Sequence, residues 1–493
     1  GISTLKTNPE YSKMENKVLS LTILIFACLL VSPAMGVKSH SFYTWTASGE
    51  QVILGTPRPG KASGEYLVYG LSLDKDIHYA KFTVASTGAI SENWTKTVSC
   101  GVNDCDGSPL FRIPGADNDS VYSGWWKEGD AFVTLVKMSY SAGAIEKAVK
   151  IPITGVTGFG ICPLNSKFLV AASKAGDKIV SFAVDKDLAI TYQFEEVSGT
   201  WKGSECNPIT GKDEYYLSNI SGSTVSLFKM NDSAISKEYT LSGATALTNP
   251  KLANQGGKLV VGYEKFSSSN ADITEEFLMI LINDSDFSVS AAKKMTYSVE
   301  DSAYDFDFNN DGSKFAFSVG SITSKTSART LVTNSSLNVE SSFQTVVTGT
   351  DTAFIPTVVS WNPNDKTMLD LFGGYYEKKP QGVADILNGA FQAIDIDACG
   401  AGFKSVDQAL TNITGITTAE ATTPSGAWKK AASVSLTPET LTTAPTLQDL
   451  DWTLTNIADK LSTDKQCTTT DTDSSASMFL GAFTFLFVFF MIQ

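Results

Sequence analysis

The run Asp305-Phe306-Asp307-Phe308-Asn309-Asn310-Asp311-Gly312 is the best local candidate for chemistry in the chain. Hard cations are held by oxygen ligands set on alternate residues around a tight glycine turn, and Asp305, Asp307, Asn309 and Asp311 supply the first half of such a calcium loop. The second half departs from it: the ninth position from Asp307 is Phe315 and the twelfth is Ser318 rather than Glu. Asn-Asp-Gly before an apolar run is also the chemistry of a hairpin turn, and the sequence leaves both readings open. Calcium is the one ion the chain offers a place for, and no motif requires a cofactor.

Trp125-Trp126 and Trp361 present flat rings that stack on sugars or wedge between sheets. A Gly-x-Ser-x-Gly nucleophile elbow is absent. Only two histidines occur, His40 and His78, both expected in solvent, which leaves little imidazole for acid/base work or for a zinc site. Paired carboxylates serve glycosidases, but 52 Asp and Glu single out no pair, and Glu195-Glu196 and Glu275-Glu276 read as solvated faces. With 38 Lys and Arg the net charge is −14, so no basic footprint exists for a phosphate backbone and nucleic acid is excluded as a partner.

The elements that must position these residues repeat. Residues 158–197 contain four short β-prone runs separated by polar turns, the pattern of a four-stranded antiparallel sheet. An opening in which an apolar run meets Asn or Pro, a polar turn and a second apolar run recurs at Cys162-Pro163, Asn207-Pro208, Asn249-Pro250, Asn309-Asn310 and Trp361-Asn362-Pro363. A second recurrence, a hairpin turn ending just before Ile or Val, falls at Ile90, Ile145, Ile190, Ile235, Val289 and Val339, spaced 45 to 55 residues apart. Four strands per period of that length is the arithmetic of an all-β propeller with seven four-stranded blades, bounded by six and eight.

Over residues 51–377 these hairpins resemble those of WD-type and bacterial periplasmic propellers, although the Trp-Asp dipeptide and the Gly-His pair of WD repeats are missing. The propeller is assigned residues 37–380. Its seventh unit starts near Phe354 and runs out of strand-like sequence after Tyr376, so residues 41–46 are expected to supply the missing strand and close the ring. Residues 381–467 are expected to form a helical cap or Thr-rich stalk, with helical spacing of apolar residues at 382–394 and 446–461.

Both ends read as targeting signals. Residues 1–13 read as leader residues, and 14–36 combine an apolar run with small residues Ala34 and Gly36, as in a secretory signal peptide. Residues 468–493 place an apolar tail after a Thr/Ser/Asp-rich spacer, the pattern of a glycosylphosphatidylinositol attachment signal or a short membrane-anchor tail. Seven Asn-x-Ser/Thr triplets, at Asn93, Asn118, Asn219, Asn231, Asn283, Asn334 and Asn412, fit an extracellular, glycosylated chain. Cys28 leaves with the signal, and the remaining six allow fifteen pairings. Proximity favours Cys100–Cys105, the repeat favours Cys162–Cys206, and Cys399–Cys467 remains.

Three functions follow. The leading one is a non-catalytic, membrane-anchored cell-surface propeller that binds a protein or glycan, or assembles with itself into a coat or matrix. The others are a secreted propeller hydrolase of glycans or esters, aided by calcium at Asp305, Asp307 and Asp311, and a carbohydrate receptor using Trp or Tyr faces.

Overall fold

The computed structural model describes residues 41–461 apart from short intervening segments, the longest of them 199–205, 322–327 and 422–430. Seven antiparallel sheets form a closed ring, an all-β seven-bladed propeller. Blade 3 shows the plan: Val156–Pro163 lies innermost, followed outward by Lys167–Lys174, Lys178–Asp185 and Ile190–Gln193. Its two middle strands are buried almost end to end because both faces of a blade meet neighbouring blades. Each of the seven main apolar clusters spans two adjacent blades; the one between blades 2 and 3 joins Tyr122, Leu135 and Ile151 to Phe168, Val170 and Phe182.

The fourth strands begin where the sequence places them, at Ile90, Ile145, Ile190, Ile235, Val289 and Val339. The turn before three of them holds an apolar residue at positive φ: Leu188 at 60°, Phe287 at 56° and Leu337 at 60°. A left-handed leucine or phenylalanine is costly, and burial of each side chain to 1% exposure offsets that cost. In the Leu188 and Leu337 turns a neighbouring carbonyl-type oxygen caps the loop: Asp185 Oδ1 accepts from the Asp187 and Ala189 amides, and Asn334 Oδ1 from those of Ser336 and Asn338. Asn249-Pro250 does not open a hairpin. It sits inside the innermost strand of blade 5, Leu247–Gln255, at a shift of register between Thr248 and Lys251, and the turn falls at Gly256-Gly257.

Blade 7 closes the ring as expected from the N-terminal sequence. Thr352–Trp361, Met368–Glu377 and Ile386–Asp395 are its first three strands, and Ser41–Ala47 pairs with Ile386–Asp395 as the fourth. The helix expected over 382–394 is therefore a strand in its described part. Its apolar residues sit at helix-like intervals because Ala390, Phe391, Ala393 and Ile394 are all buried, so the strand shows no two-residue alternation.

The expected C-terminal helical cap is instead a strap that circles the propeller. Phe403–Ser405 pairs with the outer strand of blade 6, Thr411–Asn412 with blade 5 and Thr417–Glu420 with blade 4. The Ala431 amide then donates to Gln193 O on blade 3 at 2.8 Å. Glu439–Thr440 pairs with blade 2, Gln448 with Thr97 on blade 1 and Trp452–Asn456 with Ser41–Ala47 on blade 7. Leu461 returns to Val347 beside blade 6. Blades 2, 4, 5, 6 and 7 thus gain an outer strand beyond the expected four. Over 446–461 the only helical turn among the described residues is the short 3-10 segment Ala458–Lys460. Single apolar residues seat the strap: Phe403 stacks on Phe343 at 4.7 Å, and Ile416 and Leu461 are buried. An outward edge strand is a template for foreign pairing, and the strap covers these edges.

Candidate functional site

The innermost strands converge on an axial cavity of about 680 Å³ to which all seven blades contribute, within the range of small-ligand sites. On blade 1 it meets Pro57, Arg58, Tyr66 and Tyr69; on blade 4, Asn207; on blade 5, residues 252–255; on blade 6, Asp305 and Asp307; on blade 7, Ser360 and Trp361.

Polar side chains stitch adjacent inner strands together around this wall. Asn207 Nδ2 donates to Leu252 O at 2.9 Å, and Asn254 Nδ2 donates to Pro208 O at 3.0 Å and to Asn207 Oδ1, joining blades 4 and 5. Lys251 reaches Asp305 at 3.2 Å, joining blades 5 and 6. Asp305 Oδ2 accepts from the Val359 amide at 3.3 Å, and Asp307 Oδ2 from the Trp361 amide at 3.2 Å. The Trp361 indole returns a bond to Asp307 O at 3.2 Å. Both carboxylates therefore accept from amides of the innermost strand of blade 7.

Behind the wall, Tyr66 on blade 1 donates to Asp370 on blade 7, and Asn362 Nδ2 lies 3.3 Å from the same oxygen. Burial pushes the Asp370 carboxyl up to about 7, with the two hydrogen bonds opposing it. Burial raises Asp307 to about 7 as well, against the Trp361 amide and helped by the charge of Asp305.

Arg58 differs from these acids. It lies on the two-residue strand Arg58–Pro59, preceded by Pro57, and its backbone pairs with Leu67. Arg58 is half-buried and lines the cavity, and its guanidinium makes no ion pair or hydrogen bond among the described residues. Sequence reading passed over it, as it did Tyr66 and Asp370. An arginine bracketed by two prolines is the local signal that was there to read.

The calcium quartet is split between two tasks. Asp305 and Asp307 lie on the strand Ser302–Phe308 and face blade 7. Asn309 Oδ1 accepts from the Lys314 amide and Asp311 Oδ1 from the Ser313 amide, which makes them caps of the following turn. No cluster of three or more His, Cys, Asp or Glu that would hold a metal ion is found among the described residues.

Trp361 is 4% exposed in the core between blades 6 and 7, Trp125 is buried between blades 1 and 2, and Trp126 packs against the cluster between blades 2 and 3. His78 is not solvated: it is 1% exposed, its Nδ1 is 2.9 Å from Thr97 Oγ1, and burial lowers it to about 4 despite the charge of Asp76. The reason is its place on Ile77–Val84, a blade strand buried on both faces. Glu276 is held between Lys294 and Lys265, whereas Glu195-Glu196 and His40 lie outside the described residues.

Cys162 and Cys206 form a disulfide with Cα atoms 5.7 Å apart, joining the inner strands of blades 3 and 4. Cys105 is also disulfide-bonded; Cys100, Cys399 and Cys467 lie outside the described residues. Asn93 and Asn412 are exposed, and Asn231, Asn283 and Asn334 are half-buried. Asn118 and Asn219 lie on strands, their side chains outside the described residues, as are residues 1–36 and 468–493.

No family model matches the chain, and no curated protein matches it. Solved structures similar to it include Hsv2 from Kluyveromyces lactis, at 12% identity and a TM-score of 0.40, covering 71% of this chain and 100% of that one. The Dos1 propeller aligns at 9% identity and a TM-score of 0.39, covering 66% and 75%. Dihydro-heme d1 dehydrogenase NirN aligns at 11% identity and 0.39, covering 72% and 75%. The propeller assignment stands on the seven sheets of the chain itself.

Proposed function

We propose that this chain is a glycosylated, membrane-anchored cell-surface propeller that binds an extracellular ligand at its axial cavity. The observation that carries this reading is the division of labour at the cavity wall. Asp305 and Asp307 are committed to fixing blades 6 and 7, so the wall is a rigid, preformed surface whose acids serve architecture, and rigidity of that kind lowers the ordering cost of binding. The apolar tail at 468–493, the signal-like residues 14–36 and the seven glycosylation triplets support display outside the cell.

The test treats intact cells with a phospholipase specific for phosphatidylinositol anchors and examines the released protein by native mass spectrometry. Release of a glycan-bearing chain that carries a ligand in fixed ratio supports the reading. Retention in the membrane overturns the anchor, and release of a bare chain that turns over glycosides or esters moves the protein to the hydrolase reading.

A further inference from the structure

Three charged side chains line the axial cavity, Arg58, Asp305 and Asp307. The two acids have partners on the protein: Asp305 has Lys251 and the Val359 amide, and Asp307 has the Trp361 amide. Arg58 alone of the three has none among the described residues. A guanidinium carries a fixed positive charge and five donors in a planar fork. Lining the cavity with no acceptor on the protein, those donors are available to an entering oxyanion. The chain carries 52 acids against 38 Lys and Arg, so internal acceptors are plentiful and an unmatched arginine is not a consequence of their scarcity.

The arginine is also pre-positioned. Pro57 and Pro59 fix the backbone on both sides, and Arg58 pairs with Leu67 on the rigid second strand of blade 1. The half-buried Tyr69 ring lines the same cavity, and the wall also carries the side-chain oxygens of Asn254 and Ser360. A planar fork engages a carboxylate through two parallel bonds, an aromatic ring offers a flat apolar face, and side-chain oxygens accept from sugar hydroxyls.

We propose that the cavity binds a carboxylate-bearing sugar, with the carboxylate on Arg58 and the hydroxylated ring against Tyr69 and the Asn254 and Ser360 oxygens. This rests on the binding reading above and names its ligand class. The experiment titrates the full chain, purified in detergent, with glucuronate, with glucose and with inorganic phosphate, following heat or chemical shift. The expected result is saturable 1:1 binding of glucuronate, with glucose and phosphate each at least tenfold weaker. Arg58→Gln lowers glucuronate affinity at least tenfold, Arg58→Lys lowers it less, and neither variant melts below the parent, because no internal partner is lost.

Glucuronate binding that is unchanged in Arg58→Gln overturns this assignment while leaving a binding function intact. Phosphate binding as tightly as glucuronate overturns the carboxylate preference. Absence of glucuronate binding to the folded chain at millimolar concentration overturns the ligand class. A lower melting temperature for Arg58→Gln shows that the guanidinium already has a structural partner and removes the premise.

Discussion

The Tyr66 hydroxyl donates to the carboxylate of Asp370, 304 residues along the chain, and this bond joins the first blade to the last. Asp370 is fully buried, and its other oxygen, Oδ1, has no partner among the described residues. The ring is thus closed by a polar clasp in the core as well as by the N-terminal strand at its periphery.

Tyr66→Phe leaves the buried carboxylate with Asn362 alone. Removing one partner of a buried hydrogen-bonded group costs about 1–3 kcal/mol, and urea unfolding of Tyr66→Phe is expected to show a loss of that size. Asp370→Asn keeps a neutral acceptor for Tyr66 and is expected to lose less.

The same carboxyl makes stability depend on pH. Its folded value lies near 7 and its ordinary value at 3.8, so between these the folded state binds more protons than the unfolded chain. Stability from this group is present in full below about 3.8 and is lost as pH rises through 7. Asp307 acts in the same sense, whereas His78, lowered from 6.5 to about 4, destabilises the fold as pH falls below 6.5. The measurement is therefore a difference: the melting temperature of Asp370→Asn relative to the parent is expected to rise from pH 4 to pH 7.5, and a constant difference would show that the carboxyl does not titrate there.

Trp361 fills the core between blades 6 and 7, and its indole bonds to Asp307 O. Trp361→Ala is expected to cost about 3–5 kcal/mol in chemical denaturation. A near-neutral change would move this ring from packing to ligand binding.

Much of this architecture was legible in the sequence, for local reasons. Ile90, Ile145, Ile190, Ile235, Val289 and Val339 mark the blades because each begins a strand whose outward side is solvated and whose turn is tightly constrained. Residues 41–46 announced themselves as a strand without a sheet. The strand Ile386–Asp395 was hidden, since burial on both faces erases the alternation that identifies a strand. The strap was hidden for another reason: pieces of two to five residues carry no periodicity at all. At the cavity, Asp305 and Asp307 were visible as a motif, but their partners, the Val359 and Trp361 amides, arise from blade packing that no local pattern encodes.

The strap yields its own test. A chain ending at residue 402 loses the strands on blades 6, 5, 4, 2 and 7 and uncovers their edges. It is expected to melt at lower temperature and to self-associate in sedimentation, because unpaired edges pair with one another. A monomer of unchanged melting temperature would assign the strap no part in stability.

The Cys162–Cys206 bridge closes a separation of 44 residues between neighbouring blades. Replacing both cysteines with serine is expected to cost about 2–4 kcal/mol, read by thermal unfolding under non-reducing conditions, with peptide mapping of the parent locating the bond.

The most direct test of binding at the axial cavity is electron cryomicroscopy of protein isolated from its own membranes, with glycans and small molecules retained. The account predicts density in the cavity against Arg58 and the Tyr69 ring, with glycan density at Asn93 and Asn412. Ligand density confined to the outer faces of the blades, with the cavity empty of anything but solvent, would contradict it.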